Sequence, residues 1–474
     1  MTFQTNFPLY PTKLPYITVS AKGISNGLSD IPNDGFDFGP DTLLGTFSKG
    51  QYGPPYTQTS GIQEAFNYAT TIARADLTGS NNNGYILPPV HLLSGEFILN
   101  ADFNLPLFTN NPQAEIPSFV LEGEGGNFYQ SGTTIKINGY NFTIGSSGQN
   151  QNSNGGFVIR DVGFTNSGNV NGNVNFNGFY AGNNAVISNV GLNCPLYMNN
   201  AEGFYELLLE NVATSYQIAL PDTSTIITLN SVWSAIGTYI TNSFGYNPQI
   251  TQIEAPSLGE GLIIDGNNIN AEVHIGTWSV DLNNNGNTGV YAIYNLINPG
   301  YTSELNLVVE NLTLSQGTSS SYANFWGNFV NIQGTLKLKL HIKNLILNGY
   351  ENFTLPSSGL EVLQFEIDEI TNISGQSLAS LPIYISANGT TAGTISGRYT
   401  NYRTNYKKII FTFTGYENNT TTNQTINFPL PFSSYAVITG NNTSLTISAT
   451  TSGITITSPN STTTYSGIVI VEGY

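Results

Sequence analysis

VIRDVGF (residues 158–164) and VISNVGL (186–192) are one seven-residue phrase written twice: two apolar residues, a variable one, Asp or Asn, then apolar, variable, apolar. The phrase returns as LLENVAT (208–214), VVENLTL (308–314) and HIKNLIL (341–347), with ITLNSVW (227–233) as a poorer copy. Neighbouring copies, counted at the central polar residue, lie 28, 22, 19 and 33 residues apart (161→189→211→230 and 311→344). Unequal periods of this size describe solenoid rungs with loops of varying length. Asn is a favoured non-glycine residue in the left-handed conformation, which a sharp corner between two strands requires. Rungs stacked about 4.8 Å apart would set these amides one above another, in reach of a hydrogen-bonded ladder. Ordinary sandwich strands give no reason for Asn at the same place each time. The phrase therefore predicts an all-β chain built on a right-handed parallel β-helix.

Before the phrase begins, TSGIQEAFNYATTIARADL carries apolar residues at Ile62, Ala65, Phe66, Ala69, Ile72 and Ala73, one face of a helix. Ser60 and Gln63 have capping-box spacing at its start. An open solenoid exposes unpaired strand edges and apolar core, and this helix near 60–74 is placed to cap one end. After about Tyr402 the pattern changes to clean alternation: KIIFTFTGY, QTINFPL, YAVITG, LTISAT, GITITS and SGIVIVEGY. Six short strands with tight turns predict a C-terminal antiparallel β-sandwich. The expected organisation is an N-terminal arm over 1–55, a parallel β-helix over 56–400 and the sandwich over 401–474.

Composition narrows the partners. Only 9% of the 474 residues are charged, against roughly 25% in an ordinary soluble domain. Polarity is carried by amides and hydroxyls, with 61 Asn, and these do not titrate between acid and neutral pH. That suits an acid-stable protein. Residues 161–336 hold twelve carboxylates and no Lys or Arg. Phosphate contacts need cations, so nucleic acid is not the expected ligand. No apolar run approaches 18 residues, so no membrane insertion is expected. One cysteine, Cys194, allows no internal disulfide, and three dispersed histidines make no metal motif, so no cofactor or metal is expected. DIPNDGFDFGPD clusters Asp30, Asp34, Asp37 and Asp41, but its spacing is not that of an EF-hand loop, and it reads as a turn-rich arm.

The run NDGFDFGPDT…TSGIQEAFNYA…GYILPPVHLLSGEFIL…FVLEGEGG…TTIKI resembles the opening of the pectate-lyase-like β-helix proteins. In that family an acidic Gly-Asp segment precedes a helix, a strand pair and a GEG turn. The likeness covers roughly residues 30 to 140 and continues only in style through the later rungs. With a C-terminal sandwich the chain is similar to a viral tailspike or virion fibre, especially those of archaeal viruses. The resemblance implies a surface protein that is a polysaccharide lyase, a hydrolase or a pure binding protein, and fold alone does not choose among them.

Lyases of that family use an Arg or Lys base, and the central rungs have none. The leading reading is therefore a non-enzymatic spike or fibre on the virion surface, a homotrimer. It would attach to other virion proteins through its N-terminal part and meet a host-surface glycan or pilus. The alternatives are a tailspike glycoside hydrolase and a cellular surface adhesin. The N-terminus has no basic n-region or apolar h-region, which favours the virion over an exported cellular protein. The leading reading assigns no catalytic residue. A hydrolase needs two carboxylates about 5–9.5 Å apart, and Asp265, Glu272 and Asp281 are its candidates, with His274 and Trp278 nominated to hold a glycan. Eleven N-glycosylation sequons stand at Asn141, Asn311, Asn352, Asn372, Asn388, Asn418, Asn419, Asn423, Asn441, Asn442 and Asn460. Residues 1–310 hold 43 Asn but one sequon, and residues 311–474 hold 18 Asn and ten. This split predicts a sugar-coated C-terminal part.

Overall fold

The computed structural model describes residues 16–22, 36–75, 85–106, 108–110, 113–115, 117–125, 132–145, 156–166, 171–177, 184–200, 204–222, 226–242, 251–282, 291–315, 323–329, 334–348, 351–352, 356, 358–372, 394–401, 407–416, 424–427, 432, 434–457 and 465–474. The chain divides into two compact units, Met1–Glu254 and Ala255–Tyr474.

In the first unit the repeated phrase makes successive rungs. Ile17–Val19, Val90–Leu92, Phe119–Glu122, Phe157–Arg160, Ala185–Leu192, Glu206–Thr214 and Ile226–Ser234 each run parallel to the next. Phe103–Asn104, Phe142–Gly145, Val174–Asn177, Leu196–Asn200, Gln217–Ala219 and Gly237–Asn242 stack as a second parallel sheet. A chain that alternates between two parallel sheets, always advancing one strand, is a parallel β-helix, right-handed as such crossovers are. Inside it Ile159, Ile187, Leu209 and Leu229 form one buried column, and Val162, Val190, Val212 and Val232 another. Aromatic rings also stack from rung to rung. Phe103 lies 4.2 Å from Phe142, and Phe157 lies between Phe119 at 5.5 Å and Phe176 at 4.7 Å.

The polar residue of the phrase does what its type predicts in this unit. Asp161, Asn189 and Asn211 adopt φ of 58°, 54° and 51°. Each turns the chain so that the residue two before it and the residue after it both point inward, as Ile159 and Val162 do around Asp161 and Leu209 and Val212 around Asn211. Asn189 Nδ2 donates to Asp161 Oδ1 at 2.9 Å, and Asn211 Nδ2 donates to Asn189 Oδ1 at 3.0 Å. The poorer copy is displaced by one residue. Asn211 is matched by Ser231, which takes the left-handed corner at φ 58°, while Asn230 pairs with Glu210.

The helix is Ile62–Thr71, with Phe66 edge-on to Phe103 and Phe119. Ile62, Ala65, Phe66 and Ala69 are buried, as their spacing predicts, but the capping box is not formed. Ser60 Oγ instead bonds both the amide and the carbonyl of Ile98, and Thr59 Oγ1 accepts from the Gln63 amide. A buried carboxylate explains the difference. Glu64 is 1% exposed and accepts from Thr57 Oγ1, Thr59 Oγ1 and the Gly45 amide, so the turn is built around Glu64 rather than around Ser60.

The second unit has longer rungs. Asn270–Asp281, Thr302–Ser315, Thr335–Asn348 and Leu360–Asn372 are parallel neighbours, and Leu262–Gly266, Ile293–Asn295 and Trp326–Gly327 make the second sheet. Asn311 and Asn344 stack in register, with Asn344 Nδ2 donating to Asn311 Oδ1 at 3.3 Å, but neither is left-handed. Here the strand runs on without a left-handed residue. Glu310 and Asn311 both face outward, and inward alternation resumes one residue later at Leu312.

The six C-terminal strands lie where alternation places them, at Lys407–Tyr416, Gln424–Asn427, Ala436–Asn441, Ile447–Thr450, Gly453–Ile456 and Tyr465–Gly473. With Thr394–Asn401 they form a four-stranded and a three-stranded sheet, antiparallel throughout.

Candidate functional site

The strand Asn270–Asp281 carries most of the nominated residues, and its corner decides their fate. Glu272 and His274 share the outward face, while Ala271, Val273 and Ile275 are buried. Strict alternation would keep Trp278 on that same outward face. At Gly276–Thr277, however, two successive residues leave the core, and the parity reverses. Gly276 is required there: a Cβ would sit 2.8 Å from the Pro256 carbonyl oxygen. Trp278 consequently enters the core with 0% exposure, its Nε1–H donating to the Glu260 carbonyl at 2.6 Å. It cannot stack on a sugar in this fold, and its nomination as a glycan contact is corrected.

The reversal also separates the carboxylates. Glu272 and Asp281 lie nine residues apart on one strand (281 − 272), roughly 30 Å of contour at 3.3 Å per residue. Even a right-angle bend midway leaves about 20 Å, well outside the range of either glycosidase geometry. Asp265 belongs to the other sheet, on Leu262–Gly266, where burial raises its carboxyl above the ordinary value. The three nominated carboxylates therefore do not form one dyad around Glu272 and Asp281. The acid brought to Asp281 is Glu260, whose Oε2 accepts from the Asp281 amide at 3.0 Å. Glu260 is buried and left-handed, at φ 65°. No spacing in the sequence signals it, because the contact joins two rungs.

Elsewhere the outward side chains of successive rungs are engaged with one another. Glu122 receives Arg160 through Nε at 3.0 Å and Nη2 at 2.5 Å, and faces His91 Nδ1 at 3.2 Å. The Glu122 bond raises the Arg160 guanidinium above its ordinary value. Glu124 is held below the usual carboxylate range, first by the Ser94 hydroxyl and then by the Ser94 amide. Lys339 reaches Glu304 and Lys343 reaches Glu310, both at 2.5 Å, and His341 Nε2 lies 3.0 Å from Asp368. Glu304 and Glu310, both within 161–336, thus find cations that the sequence places more than thirty residues away (339 − 304 and 343 − 310).

The exposed tryptophan of the first unit is Trp233, at 40%. The copied phrase assigns it to the core, but the one-residue shift sets it opposite Ala213 on the outward face. Of the sequons, Asn311, Asn441 and Asn442 are exposed and Asn141 is half-buried. Asn441 is already committed: its Nδ2 donates to the Leu445 carbonyl and its Oδ1 accepts from Thr443. Asn352 and Asn372 lie on strands, and Asn388, Asn418, Asn419, Asn423 and Asn460 lie outside the described residues. Asp30 and Asp34 of the acidic arm are outside them too, while Asp37 bonds the Thr18 amide at 2.9 Å and pairs with Lys49 at 2.9 Å. Cys194 is buried, its thiol pushed up to about 12, which keeps it protonated and unreactive. Among the described residues no three His, Cys, Asp or Glu side chains converge as a metal site, and no helix is long and apolar enough to cross a membrane. No protein-family model matches the chain, and neither a curated protein nor a solved structure matches it.

Proposed function

We propose that this protein is a non-enzymatic surface component of a virion, a spike or fibre that contacts the host surface. One observation carries the reading: polar groups at equivalent outward positions of successive rungs are bonded to one another. Asp161, Asn189 and Asn211 form one ladder, Asn311 and Asn344 another, and Glu304 and Glu310 are taken by Lys339 and Lys343. Such a surface supports building and presentation rather than turnover, which needs groups held ready for a substrate. Its amides also keep their polarity in acid. In this reading the chain is a homotrimer, joins other virion proteins through its N-terminal part, and meets a host glycan or pilus.

Immunogold electron microscopy of whole particles with an antibody to this chain tests the proposal. Gold should decorate the particle surface, and antibody binding confined to cell envelopes would instead favour the adhesin. The hydrolase reading has one observation in its favour: the Glu260 carboxylate accepts from the main-chain amide of Asp281, which brings the two acidic residues onto neighbouring turns of chain. If it holds, host polysaccharide should release new reducing ends with the wild-type chain and not with Glu260→Gln or Asp281→Asn.

A further inference from the structure

The final strand, Tyr465–Gly473, reads YSGIVIVEG, and its neighbour Lys407–Tyr416 reads KKIIFTFTGY. An antiparallel strand with one wet face alternates apolar and polar residues, whereas consecutive apolar residues belong between two layers. Ile409, Phe411, Val469 and Val471 account for one layer: they fill the inner face and are buried. Register defines the other face. Ile410 stands opposite Ile470, Lys408 opposite Glu472, and Glu472 opposite Val437 of Ala436–Asn441. On this face Ile468 is 41% exposed and Val437 46%. Tyr435 and Tyr474 stand beside it, 48% and 42% exposed, with their rings 5.7 Å apart. Lys408 and Glu472 pair at 3.1 Å within the face, so their opposite charges offset each other.

We propose that this aliphatic face, formed by Lys407–Tyr416, Tyr465–Gly473 and Ala436–Asn441, is the surface on which copies of the chain associate. Charge selects a second copy as the occupant. Residues 401–474 carry Arg403, Lys407 and Lys408 against Glu417 and Glu472, a balance of +1 (3 − 2) in a chain of −17, so residues 1–400 hold −18. Identical chains this acidic repel one another wherever their first 400 residues meet. The near-neutral C-terminal segment is where they approach without that penalty, and it is also where an apolar sheet face stands uncovered. The inference rests on the homo-oligomeric part of the reading above and adds where the contact lies.

The test is the mass of the full chain at micromolar concentration, by light scattering and sedimentation. The wild type should form an oligomer of 51.1 kDa chains. Ile468→Glu and, separately, Val437→Glu should dissociate it, weakening association at least about a hundredfold, because each buries an unpaired charge in the contact. Both positions are exposed in the single chain, so circular dichroism spectra of the variants should match the wild type. Phe47→Ser, at an exposed aromatic of the other unit, should leave the mass unchanged. A monomeric wild type overturns the proposal and assigns the face to another occupant. An oligomer that persists in both charged variants overturns the face while leaving the oligomer, and neither result bears on whether gold labels the particle.

Discussion

Trp278 offers the sharpest test of the reversed corner. If the ring belongs to the core, Trp278→Ala removes a side chain with 0% exposure and its 2.6 Å hydrogen bond to Glu260. Truncating a buried Trp costs about 3–5 kcal/mol, and a buried carbonyl left without its donor puts the value at the upper end. Trp278→Phe keeps most of the ring and loses the donor, which costs about 1–3 kcal/mol. The unit that contains it has 220 residues (474 − 254), for which each kcal/mol moves Tm by about 2–4 °C. Trp278→Ala should therefore lower Tm by about 6–20 °C, and Trp278→Phe by roughly 2–12 °C. Thermal and urea denaturation followed by circular dichroism would measure both. If the units melt separately, only one transition should move. The reasoning fails if Trp278→Ala melts within a degree or two of wild type and loses glycan binding instead, for then the indole faces solvent.

Four further outcomes follow from the same structure. Asn211→Ala should destabilise by about 1–3 kcal/mol, since it places a Cβ-bearing residue without a side-chain amide at a left-handed corner and breaks the ladder bond to Asn189; Asn211→Gly should cost less in the same urea titration. Asp265 has a raised folded pKa, so its ionisation opposes folding and stability is regained as pH falls through the folded value; Asp265→Asn should raise Tm at pH 7 and not at pH 3. Glu124 has the opposite sign: its contribution is present above the unfolded pKa, near 4, and lost as pH falls through the depressed folded value, so Glu124→Gln should lower Tm at pH 7 only. For the whole chain, Tm at pH 3 should lie no more than about 10 °C below that at pH 7, because the rung-to-rung pairs of Glu304 and Glu310 are partly exposed and each contributes at most about 1 kcal/mol; a larger fall would mean that ionised carboxylates hold the fold together.

The phrase VIRDVGF and its copies determined the fold by themselves, because Asn or Asp recurring at one place among inward apolar residues marks a corner in every rung, left-handed at Asp161, Asn189 and Asn211 and an outward pair of residues at Glu310–Asn311. The helix face and the six C-terminal strands were legible for a related reason: their periods of 3.6 and 2 are local. Three things were not local. Glu64 displaced Ser60 from the helix start because its partners come from the chain before it. Glu304 found Lys339, and Glu310 found Lys343, only because one rung sets residues more than thirty positions apart side by side. Trp278 left the outward face expected of it and Trp233 took one, and here the cause is geometric. Alternation has a period of two, so a single extra outward residue at a corner, or a copy displaced by one, sends every later side chain to the opposite face. The sequence shows that a corner exists. Which of two adjacent residues turns it depends on how the rung packs against its neighbours, and that choice decided which tryptophan is core and which meets solvent.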